Sequence, residues 1–168
     1  MQTTTPERQG GFFLIEALVA LVIFSLGILG MVAIGGLSLN AQNDAMFRTD
    51  AAALADELAS NIVLDVNRAS NATFVAGLGA YQHRPLGADC AWGGAPTADP
   101  VAQAWLNRVT TQGPGLPGLP GATAANQQIL VNNAAGGLGR VQITICWRGP
   151  ADIAMRRHTL VTYVNGLV

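Results

Sequence analysis

Few side chains in this 168-residue chain could do chemistry, and Glu16 stands where a carboxylate is most costly. It opens an apolar stretch in which Ala17 to Leu39, 23 residues, carries no charge. An ionised side chain at bilayer depth costs roughly 2.5 to 3.5 kcal/mol on insertion scales, so an intramembrane Glu calls for a partner cation. The apolar run itself offers none. Cys90 and Cys146 are the only thiols, and metal or redox chemistry would ask for a CxxC pair or a ligand cluster. Neither exists, since His83 and His158 form no ligand set with the cysteines. The chain has no GxSxG, HExxH or phosphate-binding glycine loop, and isolated His83 and Asp152 read as surface residues. The expectation is a protein without catalytic, metal-ligating or cofactor-binding residues.

The elements that position Glu16 follow from periodicity. At about 1.5 Å per residue, a helix over Ala17 to Leu39 is long enough for a hydrocarbon core of roughly 30 Å. The run exceeds the 7 to 15 apolar residues of a secretory signal, and its leader holds only Arg8, offset by Glu7. Hydropathy alone does not separate an uncleaved anchor from a segment destined for an assembly. No proline lies between Pro6 and Pro85, so no ring interrupts the helix. Gly27, Gly30, Gly35 and Gly36 weaken it, and none of them forms a GxxxG pair.

Past Asn40 the period continues with a different chemistry. Phe47, Ala51, Leu54, Leu58 and Ile62 recur every three or four residues, with Arg48, Asp50, Asp56, Glu57, Asp65 and Arg68 mostly between them. One helix from about Phe13 to Arg68 is expected, greasy all round in its first half and amphipathic in its second. The segment from Ala69 to Ala98 is rich in Gly, Ala and Asn and reads as a loop region, with a short strand near Thr73 to Val75. Asp99-Pro100 supplies an N-cap and a first helical residue, and Val101, Trp105 and Val109 follow at spacings of four, predicting a short helix. The stretch GPGLPGLPG, residues 113 to 121, is too short for a collagen triple helix and reads as a turn-rich connector.

Beyond it the period falls to two. Val141, Ile143, Ile145 and Trp147 alternate with Gln142, Thr144 and Cys146, and His158, Leu160, Thr162 and Val164 alternate with Thr159, Val161 and Tyr163. Two antiparallel strands are expected, reversed through Arg148 to Met155, with a third short strand over Gln128 to Val131. The fold class is therefore α+β. All nine basic residues are Arg, dispersed along a chain of net charge −1, which leaves no electrostatic footprint for nucleic acid.

Read as it stands, GFFLIEALVALVIFSLGILGMVAI resembles the N-terminus of type IV pilins and type II secretion pseudopilins. The resemblance implies a type IV pilin-like fold in which the long helix packs on a small antiparallel sheet of four strands. It implies a leader over residues 1–11, cleaved between Gly11 and Phe12 by a prepilin peptidase, and N-methylation of Phe12. Residues 12–39 would be the transmembrane and assembly helix, 40–70 its amphipathic continuation and 71–168 a periplasmic globular domain. Cleavage creates an amine four residues before Glu16, on the same helix face, and subunit docking is then the meeting of Glu16 with the Phe12 amine of a neighbour. For an exported domain with a small core, a Cys90–Cys146 disulfide is the sensible reading of the two cysteines, because the periplasm is oxidising.

The SLGILGM stretch, the Trp105 helix before its Gly/Pro turn, and the VQITICWRG and HTLVTYV strands look like the PilV type of minor pilin, the type IV pilus modification proteins. The absence of a helix-breaking proline points the same way, toward a minor component. That likeness implies a subunit that joins other minor pilins, the major pilin and a tip adhesin in a priming complex supporting assembly, twitching motility and adhesion. It would reside in the inner membrane before assembly and at the pilus tip, on the cell surface, afterwards, with no small-molecule substrate. A minor pseudopilin of a type II secretion system shares the N-terminal logic and is the alternative.

Overall fold

The computed structural model describes residues 10–113, 115–134, 138–150 and 152–166, so most of the expected leader lies outside the described residues. The chain is α+β and divides into two compact units, residues 1–43 and 44–168.

The first unit is the leading part of a continuous helix, α1, Gly10–Asp65. The uninterrupted apolar run and the missing prolines account for its length. Its large apolar side chains, from Phe13 through Ile34, are exposed, and no residue of its most apolar window is buried within the chain. This part of the helix is apolar all round, and it is long and greasy enough to cross a membrane.

The second unit is built on the amphipathic end of α1. Ala51, Leu54, Ala55, Leu58, Ile62 and Val66 are buried in one core, with Phe47 packed at its margin. The expected stripe thus faces inward and Ala55 extends it, while α1 ends at Asp65, short of the expected Arg68, and Val66 joins the core just past the helix end. Each large aliphatic side chain buried this way contributes about 1.5–3 kcal/mol.

The chain then departs from expectation. Residues of the predicted loop form a helix, α2, Asn71–Ala80, and Thr73 to Val75 are helical where a short strand was expected. The signal is local chemistry. Ser70 is the N-cap, its side chain accepting from the Thr73 amide while the Thr73 hydroxyl accepts from the Ser70 amide, a reciprocal capping box. Phe74 and Leu78, one turn apart, are buried. Two such anchors suffice for a ten-residue helix whose Gly and Ala content otherwise suggests a loop.

A small hairpin follows, β1 Leu86–Ala88 and β2 Ala91–Gly93, paired antiparallel. Asp89 and Cys90 are its two-residue turn, at φ 50° and 67°, the left-handed pair that a primed hairpin turn requires. Gly87 precedes them at φ 101°, where an added Cβ would run into the Ala91 carbonyl. Helix α3, Pro100–Thr110, starts where the sequence predicts, with the Asp99 carboxylate accepting from the Ala102 amide at 2.8 Å. Its inner side buries Ala102, Trp105, Leu106 and Val109. The Gly/Pro connector holds a minimal hairpin, β3 Gln112–Gly113 and β4 Leu116–Pro117.

The main sheet has the order β5-β6-β7, with β5 Gln128–Ala134, β6 Leu138–Trp147 and β7 Arg156–Asn165, all antiparallel. The two-residue period places Val141, Ile143, Ile145 and Trp147 in the core, opposite Ile129 and Val131 on β5 and beside Leu160 and Val164 on β7. Gly139 continues that face, and a Cβ there would collide with Leu78 and crowd Phe74, so a glycine lets α2 lie on the sheet. Among the described residues the sheet has three long strands in place of the four implied by the resemblance. The fourth position, outside β5, is taken by a single residue, His83, whose amide and carbonyl both bond Ile129.

Candidate assembly site

Glu16 lies in the second turn of α1, one turn beyond Phe12 on the same side of the helix. The side chains around it are Ile15, Val19, Ala20 and Ile23, an open apolar groove on the helix surface. Among the described residues Glu16 makes no ion pair, and no basic residue occurs between Arg8 and Arg48. A carboxylate on a bare apolar surface can accept hydrogen bonds or pair with a cation, and this chain places no cation within the uncharged run. The Gly11–Phe12 bond falls in the first turn of the same helix.

In the second unit the structure brings Cys90 and Cys146 together in a disulfide, with Cα atoms 5.9 Å apart. The bridge ties the left-handed turn of the β1–β2 hairpin to the penultimate residue of β6. Beside it the Gln127 side chain acts as a piece of strand: its Oε1 accepts from the Cys146 amide at 2.8 Å and its Nε2 donates to the Cys146 carbonyl at 3.0 Å. Gln127 is fully buried. Nothing in the sequence period marks it, because its role depends on where β6 ends.

His83 is a correction. It reads as a surface residue in sequence, yet it is 1% exposed. Its Nδ1 accepts from the Thr97 amide at 3.1 Å and its Nε2 lies 2.8 Å from the Ala124 carbonyl. Those partners require the neutral tautomer with the proton on Nε2. Burial, followed by the nearby Arg84 charge, holds its pKa below the ordinary imidazole value, although the Ala124 bond acts the other way. Because the ring fastens residues 97 and 124 to the edge of β5, its role is structural. Asp152 is half-buried, accepting from the Gly149 amide at 3.1 Å and from the Arg156 guanidinium at 2.7 Å. The Arg156 bond, first, keeps its carboxyl below the usual range.

Tyr81 closes the end of α2 against α1. Its hydroxyl donates to Asp65 at 2.6 Å, and burial followed by that bond raises its pKa well above the ordinary phenol value. Among the described residues no group of three or more His, Cys, Asp or Glu is arranged to hold a metal ion.

The chain matches no protein-family model, no curated protein and no solved structure.

Proposed function

We propose that this chain is a minor pilin of the PilV type, cleaved between Gly11 and Phe12, methylated at Phe12 and incorporated through α1 into a type IV pilus priming complex. The observation that carries the reading is the exposed Glu16 carboxylate, one helical turn from Phe12, among the apolar side chains of Ile15, Val19, Ala20 and Ile23 on the surface of α1. Cleavage would create the missing cation, and a bundle of like helices would bury the pair. Desolvation offsets much of the attraction in such a pair, so it acts as a check on docking register more than as a source of net stability. A carboxylate in the first turns of the mature helix is also favoured by the helix dipole.

The remainder of the chain supports the same reading. A long helix whose second half packs on a small antiparallel sheet suits a type IV pilin-like fold, and a disulfide suits a periplasmic domain. The partners are other minor pilins, the major pilin and a tip adhesin, after handling by the prepilin peptidase at the inner membrane.

N-terminal mass analysis of the chain made together with a prepilin peptidase tests the proposal. A mature chain beginning at N-methylated Phe12 is the expected product, and an intact Met1 or a cut at another bond defeats it. Deletion of the gene, scored for surface pili and for secreted enzymes, separates this reading from a type II secretion pseudopilin. Lost secretion with normal pili would reject the pilus assignment.

A further inference from the structure

The two edges of the main sheet are finished differently. On the β5 side His83 exchanges both main-chain bonds with Ile129, whereas among the described residues β7 pairs with β6 alone. Alternate residues of an antiparallel edge strand turn their N–H and C=O groups away from the sheet, and native edges of this kind are usually blunted by Lys, Pro or a bulge. Here the β6–β7 register runs unbroken from Trp147 opposite Arg156 to Leu138 opposite Asn165, so there is no bulge. Thr159 to Val164 carry no charge, no proline and no glycine. That stretch is open to pairing with another extended chain.

Beside the open edge lies a groove of about 540 Å³ between β7 and the second half of α1. Its apolar lining comes from Ala59, Val63 and Leu64 on α1 and from Leu160 and Val161 on β7. Leu64 is 83% exposed and Val161 41%. The one charged side chain in the lining is Asp56, and among the described residues it has no ion pair. An unpaired surface carboxylate is ordinary by itself. On the wall of an apolar groove, next to an open sheet edge, it sets the charge of what can lie there: a cation is attracted and a second carboxylate repelled.

We propose that the β7 edge and this groove receive an extended segment of a partner protein, added to the sheet as a further strand, with apolar side chains in the groove and a Lys or Arg facing Asp56. Main-chain bonds to β7 supply affinity, and the groove and the carboxylate supply selectivity. The proposal is independent of Glu16 and of cleavage before Phe12.

The test uses the full chain in detergent and a short peptide that alternates Val and Thr around a central Lys. The expected result is slower hydrogen exchange at the β7 amides and binding about fivefold tighter than that of the same peptide with a central Glu. Asp56→Lys should reverse that preference, and because Asp56 is exposed the variant keeps the fold. A central Pro, which removes a ladder donor, should abolish the protection. Equal affinity for the Lys and Glu peptides overturns the proposal. So does binding that leaves β7 exchange unchanged, or no binding of the Lys peptide at millimolar concentration. If the β7 amides are already protected without peptide, and more so as protein concentration rises, the edge belongs to a second copy of this chain and the proposal fails.

Discussion

The indole Nε1 of Trp105 donates a hydrogen bond of 2.7 Å to the main-chain carbonyl oxygen of Leu54, fastening α3 to the amphipathic half of α1 across 51 residues of sequence. Both residues are buried, the indole completely. The bond explains why an aromatic ring with a polar handle occupies the centre of α3, since a buried Trp needs a partner for its N–H.

Trp105→Phe should remove that bond and leave a small void, lowering stability by about 1–3 kcal/mol. Urea unfolding of the full chain in detergent, followed by near-ultraviolet circular dichroism, measures it. A midpoint equal to wild type with unchanged slope would show that the bond is not part of what holds α3 on α1.

His83 makes a prediction about pH. Its pKa is lowered in the folded chain, so the folded state binds fewer protons there than the unfolded state. The stability it supports is fully present above the ordinary imidazole value of about 6.5 and declines as pH falls below that value toward the depressed folded one. Protonating Nδ1 would also cost the bond from the Thr97 amide. Resistance to thermal unfolding should therefore fall between pH 7 and 5 in wild type, and His83→Gln should lack that component of the fall. Asp152, another group with a lowered pKa, acts in a separate and more acidic window, below about 3.9. An identical pH 7 to 5 profile in wild type and variant would remove His83 as the cause.

The disulfide should matter through the unfolded chain. Cys90 and Cys146 are separated by 56 residues, and closing a loop of that length contributes about 4 kcal/mol in the chain-entropy model. The double variant Cys90→Ala, Cys146→Ala should show a loss of that order in urea, and reductant should reproduce it in wild type. Equal stability with and without reductant, together with two titratable thiols, would contradict the bridge.

Glu16→Ala tests the assembly proposal at its centre. Removing the carboxylate should leave membrane insertion intact, since insertion favours the apolar residue. Incorporation with partner pilins should fall roughly tenfold or more, because the neighbour's Phe12 amine would be left buried without its carboxylate, and about 1.4 kcal/mol already corresponds to tenfold. Pull-down of partner pilins at the wild-type level would count against a docking role for Glu16.

Much of the architecture is legible in the residues themselves. The apolar run, the stripe from Phe47 to Ile62, the Asp99-Pro100 helix start and the alternation through Val141 to Trp147 are each periodic, and period follows from backbone geometry within one element. Glu16 stands out for the same reason, because a charge in an apolar run needs no fold to be anomalous. Helix α2 was harder to read because its evidence is the Ser70 and Thr73 cap and only two apolar anchors, and those anchors have value once Gly139 leaves room for Leu78.

What tertiary structure decided concerns groups whose environment comes from distant chain. His83 looks like any lone histidine until Thr97 and Ala124 meet its two nitrogens. Gln127 is an ordinary amide until the end of β6 offers it the backbone of Cys146. By itself the sequence determined the long apolar helix, the strands and the costly carboxylate, whose signals are local and periodic. Which polar groups are buried depended on the fold, because burial is set by contacts between residues far apart in the chain.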